Sequence, residues 1–150
     1  MKKLESGRSM VEMLGVLAII GVLSIGGIAG YVLSMNRYRA NNLIDLASKY
    51  ASLAYTANAT AEAFNKTKPT SSNFAFSDAG LGTIDSTESI VLKSVGKTTG
   101  TGSAATTDPK VVVVDVTFQS KDVCGTAATI LGLADTCTSK GTLTIDFKQN

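Results

Sequence analysis

Few side chains in this chain can do chemistry, and their spacing narrows it further. There is no histidine, so the usual neutral-pH general base and metal ligand is missing. The carboxylates form no pair at a motif spacing. Gly96–Gly102 is rich in glycine but lacks the Lys-Ser/Thr and the following helix of a phosphate loop. Asp78, Asp85, Asp108 and Asp122 are scattered through polar stretches. Without a dense acidic run they read as solvated loop acids, not as a calcium loop. These absences predict no catalytic residue, no metal site and no cofactor. Two features remain: a pair of cysteines and one misplaced acid.

Cys124 and Cys137 have twelve residues between them. In an exported chain this spacing reads as a disulfide, with two buried free thiols as the alternative. A zinc site would need further Cys or His ligands. The acid is Glu12, within Gly7-Arg8-Ser9-Met10-Val11-Glu12-Met13-Leu14-Gly15-Val16-Leu17-Ala18-Ile19-Ile20-Gly21-Val22-Leu23. From Met13 to Met35 there are 23 residues without a charge, enough to cross a bilayer as a helix at about 1.5 Å per residue. A carboxylate at mid-membrane costs roughly 2.5–3.5 kcal/mol, and less near the helix end. Glu12 therefore either reaches water at the interface or needs a cationic partner, such as an amine released by cleavage after Gly7.

Gly7, Glu12 as the fifth residue after it, Leu14 and the apolar run Val16–Leu23 together resemble the class III signal of type IV pilins and pseudopilins. The resemblance covers about residues 1–35 and beyond them is one of layout only. It implies a leader over 1–7, cleaved between Gly7 and Arg8 by a membrane prepilin peptidase. It also implies N-methylation of Arg8 and a register role for Glu12 against the amine of a neighbouring subunit. The implied function is a structural subunit of a type IV pilus, a homopolymer built through the N-terminal helix. An inner-membrane platform with a cytoplasmic ATPase motor would assemble it. Two departures stand out. Arg8 occupies a position where the family usually has an apolar residue. No proline occurs between residues 1 and 68, where many members have one in the apolar helix. Gly21, or the Gly26-Gly27 pair, would then supply helix flexibility.

The elements that must carry these residues follow from periodicity. Residues 8–36 form the membrane-spanning and assembly half of a helix, and 37–68 an amphipathic half. Leu43, Leu46, Ala47, Tyr50, Ala54, Ala57, Ala61 and Phe64 make one apolar stripe. Asn65-Lys66-Thr67-Lys68-Pro69 ends the run. Helix from Ser9 to Phe64 would be about 80 Å long. Residues 69–150 form a head. Phe74, Phe76, Leu81 and Ile84 anchor an irregular connection over 70–88. Strands are expected at Ile90–Val95, at Lys110–Gln119 and around Leu143, Ile145 and Phe147, where apolar and polar residues alternate. Gly96–Asp108 is expected to be a loop, and Ala127–Leu133 a short helix. The expected fold class is α+β: a long N-terminal α-helix packed on a small antiparallel β-sheet head with a C-terminal disulfide.

Charge bears on partners and place. Residues 37–68 hold five basic and two acidic side chains, and 69–150 hold six lysines and eight acids. This mildly acidic head argues against a nucleic-acid partner. Lys2 and Lys3 favour a cytoplasmic N-terminus, whereas Arg37 and Arg39 oppose that bias. The expected location is the inner membrane, single-pass with a periplasmic head, with membrane lipid as partner before assembly, and then an extracellular pilus. A removable secretory signal fits less well, because the apolar run is long and no small-x-small site ends it. A type II secretion pseudopilin, a minor pilin acting as a binding module and a signal-anchored periplasmic protein are the competing functions.

Overall fold

The computed structural model describes residues 5–99, 106–134 and 136–149, with side chains from Met10 onward. The chain divides into two units, one ending at Asn36 and one spanning Arg37–Asn150. A single helix, α1 (Glu5–Ala63), contributes to both. It begins earlier than the expected Ser9. Of the expected leader, residues 1–4 lie outside the described residues.

In the second unit α1 is amphipathic as expected. Ala40, Leu43, Ala47, Tyr50, Ala51, Ala54 and Ala61 are buried, at the three- and four-residue steps of one helical face. Ala40 and Ala51 extend the expected stripe. Phe64 leaves it, because the helix ends at Ala63, one residue before the expected Phe64, and Phe64 is 70% exposed. The reason is local. Asn65 takes a left-handed conformation with φ 53°. The Lys66 N–H then reaches back to the Ala61 carbonyl at 2.8 Å, and the Asn65 N–H to Glu62 at 3.5 Å. This is a Schellman stop, with asparagine standing in for glycine.

The sheet is a three-stranded antiparallel meander of β1 (Ser89–Thr99), β2 (Thr106–Thr117) and β3 (Thr142–Lys148). Its apolar face carries Ile90, Leu92, Val112, Val114, Val116, Leu143 and Ile145. Together with Phe118 just beyond β2, these share one core with the buried stripe of α1. Phe76 is buried in that core, while Phe74, Leu81 and Ile84 pack against it half-buried. The four expected anchors of the connection therefore all hold it down.

The expected loop at Gly96–Asp108 is mostly strand. Pairing continues through Lys97↔Asp108, Thr98↔Thr107 and Thr99↔Thr106, because these threonines are β-branched and match across the ladder. The Thr98 and Thr107 hydroxyls lie 3.0 Å apart. The part of that expectation covering 100–105 lies outside the described residues. The register shifts between Val95 and Lys97, opposite Pro109. Proline has no N–H for the ladder and is tolerated at such a bulge.

Val111 and Val113 are also buried, at 8% exposure each, although they lie on the polar face of β2. Asp146 stands beside Val113 in register, and its ion pair with Lys97 links β3 to β1 across β2. The aliphatic stems of such a pair cover apolar surface while the charges stay wet.

Helix α2 (Lys121–Ile130) lies between β2 and β3 and starts six residues before the expected Ala127. Ser120 caps it, accepting from the Val123 N–H, and Asp122 sits in its first turn, where a negative charge suits the helix dipole. Gly132, at φ 65°, ends it. The Leu133 N–H bonds to Ala128 at 2.9 Å and the Gly132 N–H to Thr129 at 3.2 Å.

Cys124 in α2 is bonded to Cys137, with Cα atoms 6.1 Å apart. The disulfide reading holds, and the alternative of two free thiols does not. Replacing both cysteines with serine is expected to cost about 3 kcal/mol, the loop-closure value for a segment of this size. Chemical denaturation of oxidised wild type against the double variant measures it.

Gly141 has φ 75°, and a Cβ there would lie 3.1 Å from the carbonyl oxygens of both Phe118 and Ser120. It closes the α2 excursion, its carbonyl accepting from the Phe118 N–H at 3.0 Å. Gly141→Ala is expected to destabilise by about 1–3 kcal/mol through backbone strain. Gly125→Ala is the control. It lies inside α2 with nothing within 4 Å of a new Cβ, and it should stabilise by up to about 1 kcal/mol. Thermal unfolding of the two variants should therefore shift in opposite directions.

Candidate assembly surface

From Met10 on, the first half of α1 presents an exposed apolar surface. Its large apolar residues from Met10 to Leu33 are between 51% and 74% exposed. The most apolar window has a mean hydropathy of 2.3, and none of it is buried. Among the described residues, this one helix is long and apolar enough to cross a membrane. Monomeric soluble proteins rarely expose contiguous apolar area on this scale. A helix apolar all round needs lipid or other helices about it.

Helical structure runs without interruption through Gly15, Gly21, Gly26, Gly27 and Gly30. A Cβ built at any of the five meets nothing within 4 Å. No packing within the chain requires these glycines, whereas small residues let helices approach closely in a membrane or bundle. Ser24 lies between Gly21 and Gly26, and its hydroxyl donates to the Ile20 carbonyl at 2.7 Å. Such a bond lets a serine hydroxyl satisfy itself within its own helix. The sequence reading passed over Ser24. The signal was there, since a serine in an apolar helix has a carbonyl one turn back.

Glu12 is exposed on this helix, two residues after Met10. Gly7 and Arg8 are helical in backbone, and Arg8 precedes Glu12 by one turn. The roles expected of the Arg8 side chain lie outside the described residues. Glu12, Gly21, Gly26 and Gly27 thus share one exposed apolar element, while the disulfide belongs to the head.

The start of the head is tied by residues that sequence reasoning did not single out for this role. Arg39 donates to the Gln119 side chain. The Thr87 N–H and hydroxyl donate to Asp85 at 2.9 and 2.8 Å. These bonds hold the Asp85 carboxyl below its ordinary range, with the charge of Arg39 adding to the effect. Glu88 moves the other way, raised first by burial and then by the charge of Asp85. Arg39 and Gln119 are 80 positions apart, so only the fold brings them together. No group of three or more His, Cys, Asp or Glu side chains able to hold a metal occurs among the described residues. Comparison with protein-family models, curated proteins and solved structures gives no match.

Proposed function

We propose that the chain is the structural subunit of a type IV pilus-like filament, held in the inner membrane by α1 until it polymerises through the same helix. The observation that carries this reading is an apolar helix surface, uncovered all round, with a single carboxylate near its start. Burying that surface against other copies removes it from water, and this drives assembly.

A prepilin peptidase cuts between Gly7 and Arg8, and the new amine of Arg8 is methylated. In the dry filament core a carboxylate is tolerable only beside an opposite charge. Glu12 takes the amine of Arg8 on a neighbouring subunit and so sets the stagger between copies. Gly21, Gly26 and Gly27 let the helix bend as it leaves the bilayer. Lys2 and Lys3 keep the leader in the cytoplasm, and the disulfide-bonded head faces the periplasm, where cysteines can be oxidised. An inner-membrane platform and a cytoplasmic ATPase supply the work of extraction.

Mass spectrometry of sheared surface material tests the whole reading. The expected species begins at Arg8, carries one methyl group and is polymeric. A chain recovered only from membranes, with Met1–Gly7 attached and always monomeric, overturns it.

A further inference from the structure

Two exposed residues stand at the end of the apolar run. Met35 is the last apolar residue of the run, the uncharged Asn36 comes next, and Arg37 and Tyr38 follow. Both are exposed, Tyr38 to 69%. Their neighbours turn towards the head: Arg39 donates to Gln119, and Ala40 is fully buried. At about 100° per residue, Tyr38 lies roughly 160° around the helix from Ala40, on the side away from the sheet. The nearby acids are engaged elsewhere. Asp85 and Glu88 feel the charge of Arg39, and Asp45 pairs with Lys49 at 2.7 Å. Among the described residues, no ion pair involves Arg37.

We propose that Arg37 and Tyr38 form a collar that binds the phosphate of an anionic phospholipid while the chain spans the membrane. The inference rests on the membrane-spanning stage of the reading above, not on polymerisation. Two residues past the apolar run is about 3 Å along a helix, which places both side chains at headgroup depth. A guanidinium matches a phosphate with two parallel hydrogen bonds. Tyrosine suits the same layer, because its ring is apolar and its hydroxyl is wet. Tyr38 on the side away from the sheet and Arg37 on the flank of the buried face are both exposed, which leaves them open to lipid. Extraction of a subunit into a filament then requires release of this lipid.

The test uses the full chain in nanodiscs of equal phosphatidylglycerol and phosphatidylcholine, with bound lipid read by native mass spectrometry. The expected wild-type result is an excess of phosphatidylglycerol adducts of about fivefold, the scale for one basic residue at an anionic surface. Arg37→Gln should bring it to parity, and Arg37→Lys, which keeps the charge but not the two parallel hydrogen bonds, should keep only part of it. A variant with Lys2→Gln and Lys3→Gln should keep it all. Parity in wild type overturns the proposal, as does a preference that survives Arg37→Gln or vanishes with the leader lysines. Loss of the adducts on adding inorganic phosphate also overturns it, since the site would then take the free ion. Carbonate extraction checks spanning separately. Normal insertion without a lipid preference sinks the collar alone, and failure to insert sinks the spanning stage.

Discussion

Glu12→Ala is expected to insert into membranes like wild type and to reduce filament yield about a hundredfold. The insertion half follows from hydropathy. Removing an acid near the end of an apolar helix makes crossing easier, not harder. The assembly half follows from the charge left behind. Breaking a buried ion pair by deleting one partner costs about 3–5 kcal/mol, because the other charge stays buried and uncompensated. Even the lower figure corresponds to roughly two orders of magnitude in an association constant. Glu12→Gln separates charge from shape. It keeps the length and hydrogen bonding of the side chain but not its charge, and it should fail nearly as badly. Membrane fractionation and quantified sheared filaments provide the two readouts. Wild-type yield from the alanine variant would remove the register role while leaving a membrane-anchored chain intact.

Tyr50→Ala is expected to cost about 3–5 kcal/mol, the range for truncating a buried aromatic. Tyr50 is fully buried, with ring centroids 5.3 Å from Phe74 and 5.6 Å from Phe76. Its hydroxyl donates to the Phe74 carbonyl. One side chain thus joins α1, the connection and the sheet. A domain with a total stability of about 5–15 kcal/mol loses a large share of it by this change. Tyr50→Phe keeps the packing and loses the hydrogen bond, so about 0.5–1.5 kcal/mol is expected. Denaturation followed by circular dichroism gives both values. If Tyr50→Ala does not fold, the phenylalanine variant still tests the assignment.

The pair also makes a pH prediction. Burial, foremost, and the charge of Asp78 raise the phenol of Tyr50, while the Leu92 backbone acts in the opposite sense. A raised folded value means that the native chain holds its proton where the unfolded chain has lost it. The contribution is complete below about pH 10, the ordinary tyrosine value, and is lost as pH rises through the folded one. The stability gap between wild type and Tyr50→Phe should therefore narrow above about pH 10. A gap unchanged through that range would mean that the hydroxyl is already open to water.

Much of the architecture was legible from local rules. The uncharged run Met13–Met35 and the stripe through Leu43, Ala47, Tyr50 and Ala54 are periodic signals, and period alone marks a helix and its buried face. Alternation in Val112-Val113-Val114-Asp115-Val116 and in Leu143–Phe147 likewise marked strands and their inner faces. The two cysteines, in a chain with no histidine and no third cysteine, pointed to one bond. These features depend on neighbours in the chain, which a sequence states directly.

Tertiary structure decided the rest. Thr98, Thr99, Thr106 and Thr107 look like loop residues until each strand finds the other, because a ladder's stability lies in its partner. Val111 and Val113 are buried on the polar face of β2 although their sequence alternation puts them with Asp115 and Thr117. Asn65 ended α1 ahead of Phe64 by adopting a left-handed conformation that composition does not announce, and Ser120 started α2 early by capping it. Arg39 met Gln119 at a separation of 80 positions. Contacts of that kind are set by how elements pack, and no window of adjacent residues contains them. The exposed half of α1 reverses the case. The sequence determined its apolar character, and the structure leaves its large side chains from Met10 to Leu33 exposed.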